Sequence, residues 1–223
     1  IYMGDWSSDV CSSDLPQRVL MPEPPGRVRY LNDDELAALL AAAREQPVMY
    51  AAIVVSIATG VRQGELLRTD WSDVDLPRQT LRVRLSKNDQ SRAVHLTQSA
   101  CDALRELQTA KVRAIGPVFI TAGGERLRKS TLEMRWKRLR DGIGLRDMKW
   151  HDLRHTTASY MAQNGANLLQ IGAQLGHKSP SMTLRYAHLV EGAQLPAHVA
   201  IDAKLRRDRK STRLNSSHPY RSR

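Results

Sequence analysis

Six positions carry side chains whose types and spacing could do chemistry. TGVRQGE over Thr59–Glu65 sets an arginine, Arg62, just after a helix-ending glycine, with Glu65 three residues further on. Lys87 falls between two alternating segments, at the tip expected of a hairpin. HDLRH over 151–155 puts His151, Arg154 and His155 at i, i+3 and i+4, one face of a helix. LGH over 175–177 ends a helix on Gly176 and presents His177 in the turn, and Tyr186 follows nine residues later within TLRYAH. Guanidinium groups offer forked donors that match anionic oxygens. Imidazole titrates near neutral pH and can move protons. A phenol can act as a nucleophile once its proton, held with a pKa near 10, is removed. Taken singly, each has an ordinary structural explanation: a surface arginine, a solvated lysine, a capping histidine, a core tyrosine. Two histidines four apart also suggest zinc, but Asp152 stands where the zinc-protease pattern needs glutamate, and no third ligand is matched. No metal or cofactor is expected.

The order of these residues is more specific than any of them. Arginine, lysine, histidine-x-x-arginine, histidine and tyrosine occur at Arg62, Lys87, His151, Arg154, His177 and Tyr186. With the local contexts TGVRQGE, HDLRHTTAS, LGH and TLRYAH, the chain resembles the catalytic domain of the tyrosine recombinases, the family of the phage integrases, from about Leu31 to Leu189. The resemblance implies a site-specific DNA recombinase that acts by transesterification without metal or ATP. Tyr186 would attack the scissile phosphorus, form a 3′-phosphotyrosyl link and expel a 5′-hydroxyl. Arg62 and Arg154 would clamp the non-bridging oxygens, with His177 adding a hydrogen bond. Lys87 would be the general acid for the leaving oxygen, and His151 the general base or proton relay. Glu65 could orient Arg62 or be an exposed helix glutamate; its spacing leaves both open. The partners implied are double-stranded DNA and further copies of the chain, as a homotetramer on paired sites. The stretch from Gln194 to Leu205, with Leu195 and Val199, is either a docking segment for a neighbour or a terminal helix packed in cis. A type IB topoisomerase would use similar groups, and a non-catalytic DNA-binding protein is the alternative from another class.

The elements that must position these residues follow from periodicity. Asn32 or Asp33 can cap a first helix through LAALLAAA, and an apolar helix runs from about Val48 to Thr59 and stops at Gly60. A short helix carries Arg62–Arg68. The period then shifts to two over Val74–Leu76, Thr80–Leu85 and Arg92–Leu96, with Leu81, Val83 and Leu85 on one side and Arg82 and Arg84 on the other. Helices resume at about Gln98–Lys111, Lys129–Arg140, His151–Asn164, Leu168–Leu175 and Ser179–Leu189. The fold class expected is mainly α with a small three-stranded antiparallel β-sheet.

The net charge is +11 with a pI of about 10.1, which favours a polyanionic partner. Arg82, Arg84, Arg92, Lys129, Arg135, Lys137, Arg138 and Lys178 are candidates to track a phosphate backbone. No apolar run reaches the length of a membrane span, and two cysteines make no disulfide framework. A cytoplasmic protein of bacterial or phage origin is expected, with no membrane partner.

The organisation expected is a catalytic domain over 31–207 behind a proline- and arginine-rich linker over 16–30. Residues 1–15 and 208–223 read as foreign. Asp5–Leu15 and Asp208–Ser217 can be encoded by one DNA sequence read on opposite strands, and that sequence resembles a sequencing-library adapter. Setting both ends aside changes the net charge by a single unit, so the basic excess belongs to the remainder. The family's usual N-terminal DNA-binding domain is absent from this sequence.

Overall fold

Asn32 starts the first helix. Its side chain accepts from the Glu35 backbone N–H at 2.8 Å, and Glu35 reaches back to the Asn32 N–H at 3.0 Å, a reciprocal cap for α1 (Asp33–Ala43). The computed structural model describes residues 28–84, 91–111 and 115–191. The expected adapter-like ends, nearly all of the linker, Lys87 and the 194–205 stretch lie outside the described residues.

Proline at the first turn opens α2 (Pro47–Thr59), and Gly60, at φ +66°, closes it in the left-handed conformation. Helix α2 buries residues around most of its circumference because it is the hub of the core: α1, α3 (Gln63–Leu67), α4 (Gln98–Lys111), α5 (Lys129–Gly142) and α6 (Asp152–Gln163) all pack on it. Ala100, Cys101, Ala103, Leu104 and Leu107 recur at helical spacing and form the buried stripe of α4. Trp136 of α5 meets Trp150 edge-to-face at 5.3 Å and walls the other side.

The sheet is antiparallel in the order β1 (Val74–Asp75), β2 (Thr80–Val83), β3 (Arg92–His95). Leu81 opposite Val94 and Val83 opposite Arg92 fix its register. Leu81 and Val83 are buried while Arg82 and Arg84 face outward, the alternation expected of a half-buried strand. The architecture is mainly helical with this one small sheet, as its pattern predicts.

Helix α6 is buried from Asp152 to Ser159, and its threonines are satisfied by backbone: Thr156 accepts from the Leu31 N–H and Thr157 donates to the Ile57 carbonyl. A second apolar cluster joins Ala158 and Ala162 of α6 to Ile171 and Leu175 of α7 (Leu168–Leu175), and Tyr186 completes it. The sequence predicts one helix over Ser179–Leu189; the structure has two, α8 (Ser181–Leu184) and α9 (Ala187–Glu191). The Tyr186 N–H bonds the Thr183 carbonyl at 3.0 Å, an i→i−3 bond that tightens the turn as both side chains enter the core. Among the described residues, no helix is long and apolar enough to cross a membrane.

Candidate active site

Four backbone features bring the chemistry-bearing residues to one place: the α2–α3 turn, strand β3, the N-terminal half of α6, and the α7–α9 region. The turn is set by Gly60. A side chain there would meet Leu175 Cδ2 at 2.4 Å on a backbone that already favours glycine. Its carbonyl faces α6 and accepts from Arg154 Nη1 at 2.5 Å, a contact that spans 94 residues of sequence. Arg154 is buried, and among the described residues its Nη2 has no hydrogen-bond partner. Burial, and then the charge of Arg62, bring its guanidinium down to about 10.

Arg62 caps α3 from the same turn, with a partly exposed side chain. Its Nη1 donates to Glu65 Oε1 at 3.0 Å and its backbone N–H to Oε2 at 2.9 Å. Glu65 is buried, not an exposed helix residue, and it holds a second guanidinium. Arg92 of β3 donates to it through Nη2 at 2.9 Å and Nη1 at 3.3 Å. Burial pushes the Glu65 carboxyl up, but the bonds from Arg92 and Arg62 outweigh it and hold the group below the usual carboxylate range. Arg92, expected among residues tracking a phosphate backbone, is largely buried and committed to this carboxylate. Its guanidinium lies against Gly176, where an added Cβ would come within 2.8 Å of Cζ. Arg82 and Arg84, from that same set, stay half-exposed but pair with the buried Asp73, at 3.2 and 2.7 Å.

The histidines take different stations. His151, at the start of α6, keeps an exposed edge, and partial desolvation of its ring, then the charge of Arg154, lowers its pKa. His177 follows Gly176 and bonds Thr183 Oγ1 through Nδ1 at 2.7 Å. Burial, then Arg154 and Arg62, bring it to about 4, so it is neutral at pH 7. Tyr186 is 1% exposed, and its Oη lies 2.5 Å from Nδ1 of His155, the second histidine of the α6 motif. Burial pushes the phenol up against the opposing pull of Arg185 and Arg154. His155 and His151 stand edge-to-face with ring centres 5.1 Å apart.

Arg62, His151, Arg154, His177 and Tyr186 are thus brought together, close enough for their charges to shift one another. Lys87 lies outside the described residues. The sequence places His155 on the face of His151 and Arg154 but assigns it no role, and it sets Arg92 among the residues tracking a phosphate backbone; nothing local to β3 signals its pairing with Glu65. Arg62 and Arg92 both bond the carboxylate of Glu65, Arg154 lies within its electrostatic reach, and this surplus of fixed positive charge beside a hydroxyl suits an anionic oxygen.

The sequence profile of the phage integrase family matches residues 29–192. The chain is 31% identical over 189 residues to the shufflon-specific DNA recombinase of Escherichia coli, covering 83% of this chain and 46% of that protein. Its fold superposes on the crystal structure of XerA recombinase with a TM-score of 0.68 at 30% identity, over 81% of this chain and 66% of that one. XerH site-specific recombinase, solved bound to its difH substrate in a pre-cleavage complex, matches with a TM-score of 0.61 at 25% identity, over 74% of this chain and 52% of that one. The chain spans about half the length of the curated relatives it matches.

Proposed function

The chain belongs to the phage integrase family, and from that premise we propose that it is the catalytic domain of a tyrosine-type site-specific recombinase, cleaving and rejoining double-stranded DNA through a 3′-phosphotyrosyl intermediate. The observation that carries this reading is the Tyr186 hydroxyl lying within the electrostatic reach of Arg154, which is itself within reach of Arg62 and His177. The similarity to a DNA recombinase of Escherichia coli supports DNA as the substrate.

Each group then has a role its surroundings suit. Tyr186 is the nucleophile, and the covalent link it forms keeps the phosphodiester bond energy, so rejoining needs no ATP. Arg62 and Arg154 hold the non-bridging oxygens. Arg154 is fixed by the Gly60 carbonyl and Arg62 by Glu65, so both donors are aimed before the phosphate arrives. Neutral His177 adds a hydrogen bond to the same oxygens. Lys87 protonates the leaving 5′-oxygen, and His151 carries protons between the site and water. The finer reading is a homotetramer on paired sites, in the cytoplasm where its DNA would be; the family resemblance supports it.

The test is covalent capture on supercoiled plasmid in EDTA, stopped with detergent, comparing the chain with Tyr186→Phe. A protein–DNA adduct that forms without metal and disappears in the variant is the expected result. An adduct that persists in Tyr186→Phe would assign the nucleophile elsewhere. No adduct from folded, DNA-binding protein would count against cleavage by this chain.

A further inference from the structure

The proton that Tyr186 must lose has a neighbour waiting for it, and that neighbour is not His151. Among the described residues, His155 Nδ1 is the hydrogen-bond partner of the Tyr186 hydroxyl, at 2.5 Å, and both side chains are buried. A hydroxyl and one imidazole nitrogen can pair in two ways. Nδ1 can carry a hydrogen and donate it to Oη, which strands the phenolic hydrogen in a buried site. Alternatively Nδ1 is bare and accepts the phenolic O–H, with the imidazole hydrogen on Nε2. The second arrangement leaves no buried donor unmet and is the favoured one. Burial, followed by His151, brings the His155 imidazole down to about 4, so its lone pair is free at neutral pH.

We propose that His155 is a further catalytic residue, the direct proton acceptor for Tyr186 during strand cleavage, with His151 as the onward route to solvent. This rests on the DNA-cleaving function proposed above. As the Oη–P bond forms, the Oη–H bond breaks and its proton passes to His155 Nδ1, leaving an imidazolium. The P–O5′ bond breaks in the same displacement, and the departing oxygen takes its proton from Lys87. In rejoining, the 5′-hydroxyl attacks phosphorus and gives its proton back to the Lys87 amine, the P–Oη bond breaks, and the imidazolium returns its proton to Oη. An anionic phosphate held nearby by Arg62 and Arg154 favours the charged ring, offsetting the burial that disfavours it in the free protein. His151, exposed and edge-to-face with His155 at 5.1 Å, lies on the solvent side of this pair.

His155→Asn separates holding the hydroxyl from taking its proton. An asparagine oxygen can stand near the place of Nδ1 and accept the hydrogen bond, but it cannot carry the proton away. Two measurements on the full chain test the assignment. In nitrogen-15 histidine spectra, two imidazoles are expected to stay neutral from about pH 5.5 to 8, and the one whose Nδ1 signal moves in Tyr186→Phe, His155, is expected to carry its hydrogen on Nε2. A hydrogen on Nδ1 of that ring would overturn the proposal whether or not the chain cleaves DNA. In covalent capture, His155→Asn with parental melting temperature and DNA affinity is expected to form adduct about a hundredfold more slowly. A parental rate in that variant would also overturn it, since an acceptor that takes no proton would then suffice. A parent that binds DNA and forms no adduct would count against the cleavage function itself, while the histidine spectra would still decide whether His155 accepts the hydroxyl.

Discussion

Glu65 sits where two guanidinium groups need a shared anion. Arg62 and Arg92 reach it from different elements, and it is buried enough that water cannot replace either. Glu65→Gln removes the charge but keeps an acceptor, so two cations would face each other with weaker restraint. The expected cost is about 1–3 kcal/mol of stability, read by chemical denaturation. Covalent capture on plasmid should fall at least about tenfold, because a released Arg62 no longer meets the phosphate in a fixed pose. Arg92→Lys tests the same contact from the other side. It retains the charge and loses the fork, and it should reproduce part of the Glu65→Gln loss. If Arg92→Lys matched the parent in both assays, the bidentate contact would not be what positions the arginines.

The α2–α3 turn and the α8–α9 break show how elements aim side chains. Gly60 lets α2 end abruptly enough for its carbonyl to meet Arg154, and Leu175 of α7 fills the space a Cβ would need. Gly165 also has a positive φ, +84°, but no described residue lies within 4 Å of an added Cβ. Gly165→Ala is expected to cost only the backbone term, about 1–2 kcal/mol. Gly60→Ala adds a clash with a packed helix, and should be worse by a further ~1–3 kcal/mol. Equal melting temperatures for the two variants would show that Leu175 yields easily. The break between α8 and α9 works in the other direction. By tightening at Thr183–Tyr186, the chain turns Tyr186 inward to His155 instead of leaving it on the face of a continuous helix.

The whole molecule is strongly basic, with a net charge of +11, and this sets two bulk behaviours. DNA affinity should fall by more than about tenfold between 50 and 200 mM salt, as counterions compete for the phosphates. A flat response in a filter or gel assay would rule out a phosphate-tracking surface. Acid should destabilise the fold. His155 and His177 sit at about 4, below the ordinary histidine value of 6.5, so between these limits the unfolded chain binds more protons than the folded one. Stability is therefore full above about pH 7 and is lost as pH falls toward 4. Below that, protonation of Glu65, whose folded pKa is also depressed, removes more. The melting temperature should drop by at least about 2 °C from pH 7 to pH 5. A melting temperature that rose on acidification would mean these histidines are not held neutral.

What the sequence by itself determined is what short-range forces govern. The limits of α4 and α7 match their periodic patterns residue for residue, and the caps at Asn32, Gly60 and Gly176 are contacts within four residues of the chain. The alternation of Leu81, Arg82 and Val83 announced the sheet, and the order of Arg62, His151, Arg154, His177 and Tyr186 carries the resemblance from which the chemistry is proposed. Only tertiary structure decided what those residues touch. Arg154 meets the Gly60 carbonyl across 94 positions, Arg92 meets Glu65 across 27, and Tyr186 meets His155 across 31. None of these contacts leaves a local trace, because each depends on how elements distant in sequence pack together. That packing also overrode the helical pattern of 179–189, since burying Tyr186 and Thr183 together requires a turn that no propensity in the segment specifies.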